Sequence, residues 1–177
     1  MKYIPNILTI LRLLACPILI YLFFFGTYLT ILAVFILACL TDFFDGYLAR
    51  KESLKTNLGK FLDPIADKVL IITMCIMLII NEDILGLHKL AFYIIILREI
   101  IITFLRLNLD NENKNIDVSK LSKYKTFIQM TAIGSILIYH NFELFYFQLP
   151  IIMLVWLAAF VTLITGIQHF KTYKKLK

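Results

Sequence analysis

Four aspartates, Asp42, Asp45, Asp63 and Asp67, stand within apolar runs that leave little room for charge. Placing one carboxylate inside a membrane costs roughly 3 kcal/mol on insertion scales, so four of them need either water or a shared counter-ion. Their spacing favours the second. Asp42 and Asp45 lie three apart and Asp63 and Asp67 four apart, so on helices each pair shares one face. A short charged connection, Arg50 to Asn57, joins the two segments. An antiparallel hairpin centred near Leu54 brings Asp45 level with Asp63, Asp42 level with Asp67, and Ala49 level with Gly59. Four converging carboxylates repel one another and raise one another's proton affinity. Divalent cations remove the difficulty, and hard Mg2+ or Mn2+ prefers oxygen ligands of this kind.

The remaining residues set the surroundings of that cluster. At 177 residues the chain is expected to form a single domain, 1–177. It is 60% hydrophobic and 17% charged, with a mean hydropathy of +0.84, which argues against a soluble fold. Several apolar runs approach the ~20 residues that span a bilayer. The expected fold is an all-α integral membrane protein with six transmembrane helices, at about 5–25, 28–50, 58–80, 90–109, 124–139 and 150–170. Gly26-Thr27 breaks the first run from the second, and Asp110 to Ser119 is a polar solvent loop. Pro5 and Pro64 suit first turns of helices, whereas Pro17 is expected to kink the first span. Leu13-Leu14-Ala15-Cys16 has the look of a lipoprotein cleavage site, but Arg12 immediately before it makes a retained span the expectation. Cys16, Cys39 and Cys75 have no metal-ligand spacing and read as small core hydrophobes.

Charge orients the bundle. The net charge of +6 comes from basic residues clustered between spans, where they set topology and meet anionic lipid; nucleic-acid binding is not expected. Lys2, Arg12, Arg50, Lys51, Lys55, Lys60, Arg106, Lys114, Lys120, Lys123, Lys125 and the tail lysines fall on one side, and essentially Lys89 alone on the other. The positive-inside rule then makes both termini cytoplasmic and puts the Asp-rich active site on the cytoplasmic ends of helices 2 and 3. At the helical rise, Asp42 lies about 12 Å and Asp45 about 7 Å inside Arg50. A pocket at that depth is open to lipid phosphates from the side and to water-soluble reactants from the cytoplasm.

Written with its gaps, the stretch is Asp42-x2-Asp45-Gly46-x2-Ala49-Arg50-x8-Gly59-x3-Asp63-x3-Asp67. It matches every fixed position of the signature of the CDP-alcohol phosphatidyltransferases, and the chain resembles that family. The resemblance implies transfer of a phosphatidyl group from CDP-diacylglycerol to an alcohol with release of CMP, in a multi-pass cell-membrane enzyme. It implies that Asp42, Asp45, Asp63 and Asp67 hold two metal ions, Mg2+ or Mn2+. It also implies that Gly46, Ala49 and Gly59 shape the cytidine pocket with Arg50 nearby, and that Asp67 is the general base. A homodimer is expected from the resemblance alone. Elementary chemistry points the same way. Metals can clamp both oxygens of an in-line displacement at a diphosphate, an unactivated hydroxyl needs a base, and glycine admits a ligand to the backbone.

The acceptor depends on other residues. Pro5-Asn6-x2-Thr9-x2-Arg12 resembles the amino-terminal pattern of family members that use glycerol 3-phosphate, with Asn6 and Thr9 toward the nucleotide; the competing reading makes Arg12 a snorkelling side chain. Arg98-Glu99, Arg106 and Lys123-x-Lys125-Thr126-x2-Gln129 resemble the same members, with Ser122 standing where glycine is expected. Arg98 lies about 12 Å inside Arg106 and needs an anionic partner at that depth. Glu99, adjacent on the helix, is expected to point elsewhere, which leaves a substrate phosphate for Arg98. Arg98, Arg106, Lys123 and Lys125 are therefore the expected acceptor-phosphate residues, and sn-glycerol 3-phosphate the expected acceptor. The alternatives are inositol 1-phosphate, serine or phosphatidylglycerol as acceptor and, more remotely, a divalent-cation transporter. His88, His140 and His169 read as interfacial packing, Trp156 as core or lipid-facing, and Tyr139, Phe142, Phe145, Tyr146 and Phe147 as an aromatic belt.

Overall fold

The computed structural model describes the backbone of residues 4–51, 57–81, 86–111, 120–142 and 145–176. Within these, side chains are described except at 4–8, 42–51, 57–64, 67, 107–111, 120, 123, 145 and 175–176. Six α-helices account for nearly all of it: α1 (Ile4–Phe25), α2 (Tyr28–Lys51), α3 (Asn57–Ile80), α4 (Lys89–Asn111), α5 (Lys120–Phe142) and α6 (Gln148–Leu176). Single 3₁₀ turns, Gly86–His88 and Phe145–Phe147, precede α4 and α6. The helices cover the six expected apolar segments; α1, α2 and α3 are one residue longer than expected, and α4, α5 and α6 extend further at both ends. Pro17 lies inside α1, which continues through it as one helix.

Local chemistry explains the breaks. The Gly26 N–H donates to the Leu22 carbonyl at 2.7 Å, and a Cβ at Gly26 would stand 2.7 Å from that same oxygen, so only glycine fits this tight end. Thr27 and Thr30 then cap α2 reciprocally. The Thr30 N–H donates to Thr27 Oγ1 at 3.4 Å and the Thr27 N–H to Thr30 Oγ1 at 3.1 Å. At the end of α3, Asn81 Nδ2 donates to the Phe23 carbonyl at 3.3 Å, tying the C-terminal ends of α1 and α3 together. These two helices therefore run parallel, with α2 antiparallel to α1.

Around the bundle the helices follow the order α1, α2, α5, α6, α4, α3 and close on α1, with α3 also touching α5 across the middle. Leu19, Leu70, Met74, Cys75, Leu78, Phe92, Ile133, Leu137 and Ala158, all buried, fill the core. The outward side of the described helices is equally apolar: Leu14, Phe24, Phe104 and Phe160 are each more than half exposed. Gln148–Lys174 of α6 is long and apolar enough to cross a membrane, and Thr9–Phe25, Tyr28–Thr41 and Lys68–Ile80 form shorter apolar stretches.

The two ends of the bundle differ. One gathers aromatic contacts: Tyr28 stacks on His140 with centroids 5.0 Å apart, and Trp156 Nε1 donates to His88 Nδ1 at 3.1 Å. Tyr146 and Phe147 are exposed there, as a belt requires. At the opposite end lie the C-terminal half of α2, the start of α3, and the charged residues of α4 and α5.

Candidate active site

Asp42, Asp45, Gly46, Ala49 and Arg50 fall on the last turns of α2, and Gly59, Asp63 and Asp67 on the first turns of α3. The continuous helices keep Asp42 and Asp45 within one turn of each other, and likewise Asp63 and Asp67. Their side chains, with those of Asn6 and Lys123, lie outside the described residues. So does the hairpin midpoint near Leu54, although α2 and α3 end symmetrically about it.

The neighbours of the two motif helices add to that reading. Among the described residues α2 and α3 are not packed along each other; α1 packs along both. The site is thus a three-helix arrangement whose middle member is the amino-terminal helix. Thr9 and Arg12 of α1 are each 1% exposed, so Arg12 does not snorkel to the surface. Counting equal steps back from the Asn81–Phe23 hydrogen bond brings Thr9 level with Asp67. Counting inward from the Tyr28–His140 stack along antiparallel α2 and α5 brings Asp42 level with Thr126 and Asp45 with Lys123. The acidic motif and the basic start of α5 occupy one layer of the bundle.

Beside that layer lies a buried polar network joining α4, α5 and α6, and Glu99 is its centre. Glu99 is fully buried and accepts from Lys125 Nζ, from Gln129 Nε2 at 3.2 Å, and from Arg98 Nη1 at 3.2 and 3.3 Å. Arg98 Nη2 donates onward to Thr165 Oγ1 at 3.0 Å, and Gln129 Nε2 to Thr162 Oγ1 at 2.9 Å. The expectation that Glu99 points away from Arg98 is therefore corrected. Adjacent helical positions diverge at Cβ, but the arginine stem is long enough to curl back over its neighbour. Gly166 makes room for that path, since a Cβ there would stand 3.1 Å from Arg98 Cγ. One carboxylate with three donors is what a charge at this depth requires.

Arg106, two turns beyond Arg98, meets His169 of α6 with its Nη2 3.5 Å from Nε2. His169 is 4% exposed, so it belongs to this network and not to interfacial packing. Ser122 lies within α5, its carbonyl accepting from Thr126 Oγ1 at 3.4 Å, and the helix continues through it. Five contributors to this network escaped sequence reasoning as site residues: Glu99, Gln129, Thr162, Thr165 and His169. Gln129 sat in a quoted motif and Glu99 beside Arg98. Thr162 and Thr165, three apart on an apolar helix, gave the only local signal on α6.

With an acidic motif on two helices flanking a third, and a buried basic network one layer away, the sequence comparisons become interpretable. The chain matches the CDP-alcohol phosphatidyltransferase family over residues 2–165 and belongs to it. Among its relatives is the CDP-diacylglycerol–glycerol-3-phosphate 3-phosphatidyltransferase of Rickettsia bellii, 41% identical over 176 residues, covering 97% of this chain and 96% of the relative. Proteins of the same name from Haemophilus influenzae (36% identical; 98% of this chain, 95% of the relative) and Bacillus subtilis (39%; 81% and 74%) are also similar.

Proposed function

We propose that this protein transfers the phosphatidyl group of CDP-diacylglycerol to the sn-1 hydroxyl of sn-glycerol 3-phosphate, giving phosphatidylglycerophosphate and CMP. The observation that carries the reading is the buried basic network, in which Arg98, Arg106 and Lys125 gather around the single carboxylate of Glu99, one layer from the helix turns that carry the family's aspartate motif. An acceptor that brings its own phosphate suits that excess of positive charge; serine does not. The near full-length similarity to proteins named for these two substrates supports the same choice.

In the reaction the acceptor hydroxyl attacks the phosphorus that carries diacylglycerol, the bond from that phosphorus to the CMP oxygen breaks, and Asp67 takes the hydroxyl proton. Asp42, Asp45, Asp63 and Asp67 would hold two Mg2+ or Mn2+ ions, which supply neutralisation of the diphosphate charge. The all-oxygen donor set and the one-turn spacing on continuous helices fit hard cations. Gly46, Ala49, Gly59 and Arg50, with Asn6 and Thr9 of the intervening α1, frame the cytidine diphosphate. Arg106 and Lys123 receive the acceptor phosphate. Arg98 and Lys125 contribute through their charge, held at depth by Glu99.

The six helices span the cell membrane, with the termini and the charged end cytoplasmic. The apolar outward face and polar interior support this, because lipid tolerates the former and only an internal network tolerates the latter. The enzyme acts as a homodimer among membrane lipids.

Purified protein with CDP-diacylglycerol, Mg2+ and each acceptor in turn tests the reading. CMP release is expected with sn-glycerol 3-phosphate, abolished by EDTA and restored by Mg2+ or Mn2+. Release only with inositol 1-phosphate, serine or phosphatidylglycerol would overturn the acceptor. Divalent-cation flux into proteoliposomes without CMP would overturn the enzyme.

A further inference from the structure

We infer that Lys68 is a binding residue for the phosphate monoester of the acceptor, linking the basic network to the helix that carries the catalytic aspartates. The inference rests on the proposed function above and assigns one more residue to it. Lys68 follows Asp67 directly on α3, one step of about 1.5 Å along the axis. Its Nζ is buried and has no hydrogen-bond partner, whereas its neighbour in the network, Lys125, is held by Glu99. A buried ammonium without an acceptor is an expensive arrangement unless an anion arrives to complete it.

The surroundings specify the anion. Lys68 lies within electrostatic reach of Arg98, Glu99, Arg106 and Lys125, and of His169. These described side chains set the four cations Lys68, Arg98, Arg106 and Lys125 against one carboxylate. Glu99 neutralises about one of them, and a dianionic phosphate monoester offsets two more. Glu99 already engages Arg98 and Lys125. Lys68 belongs to the motif helix, and its Nζ has no hydrogen-bond partner, so it can grip an incoming oxygen. Held there, the acceptor phosphate is bound by the same turn of α3 that carries Asp67. A neutral alcohol gains nothing from this contact, which makes Lys68 a determinant of acceptor class.

The test is a KM split. In Lys68→Met the KM for sn-glycerol 3-phosphate should rise by about 10- to 100-fold, the loss of one charge-assisted hydrogen bond, while the KM for CDP-diacylglycerol stays within about twofold. Lys68→Arg, which keeps the charge, should recover much of the difference. Equal rises in both constants, a rise for CDP-diacylglycerol alone, or wild-type constants throughout would overturn the assignment. Independently of any variant, cyanate should carbamylate Lys68 in the wild-type enzyme, with saturating sn-glycerol 3-phosphate protecting it and glycerol failing to do so, as read by mass spectrometry. Labelling that the acceptor leaves unchanged, absence of labelling included, also overturns it. Wild-type enzyme that releases no CMP with sn-glycerol 3-phosphate would instead overturn the proposed function.

Discussion

The two halves of the bundle handle charge in opposite ways. The α1–α3 half carries four aspartates on two helices; the α4–α6 half wraps one carboxylate in donors from Arg98, Lys125 and Gln129. Under the proposed function the first arrangement is one that bound cations would complete. The second is closed on itself and ties three helices into a unit. Charge that awaits a reactant and charge that holds a structure sit one layer apart, and substitutions should tell them apart.

Asp67→Asn should give the largest effect, a loss of turnover of about a thousandfold or more, within the range for a general base. CDP-diacylglycerol binding and the unfolding temperature in detergent should be largely preserved, because the substitution removes one of several like charges. Near-normal turnover would remove Asp67 as the base. Glu99→Gln should act the other way, destabilising the protein by about 3–5 kcal/mol, since Arg98 and Lys125 lose a buried counter-charge. Thermal unfolding in micelles reads it, and an unchanged midpoint would show that the network is not structural. Gly166→Ala sharpens the contrast at smaller scale. Its Cβ would crowd the Arg98 stem at 3.1 Å, so a loss of about 1 kcal/mol is expected, and a neutral outcome would mean the arginine has room to move. Smallest of all, Trp156→Phe at the aromatic end removes a hydrogen bond to His88 worth about 0.5–1.5 kcal/mol and should leave turnover untouched.

Much of the fold was legible because apolar runs and their breaks are local. Gly26-Thr27, the polar 110–119 segment and Pro150 near the start of α6 marked helix ends within a few residues. The ring order was not legible. These helices are apolar toward the core and apolar outward, so no stripe says which neighbour each one meets, and the packing of α1 along both α2 and α3 is visible only in the structure. The aspartate motif could be read from spacing because its residues repeat at helical intervals. The Glu99 network could not, because its contacts run between residues 26 to 67 positions apart and through a side chain that doubles back over its neighbour. His169 was misjudged for the same reason, its partner Arg106 lying 63 positions away.

The seating of α1 between the two motif helices also bears on how the protein is made. Synthesis delivers α1 first, α2 second and α3 third, so the first helix is a template already in place when each motif helix arrives. A nascent chain that stops after α2 holds Asp42 and Asp45 against one flank of α1 with the other flank bare. Arrival of α3 completes both the packing and the acidic quartet in a single event.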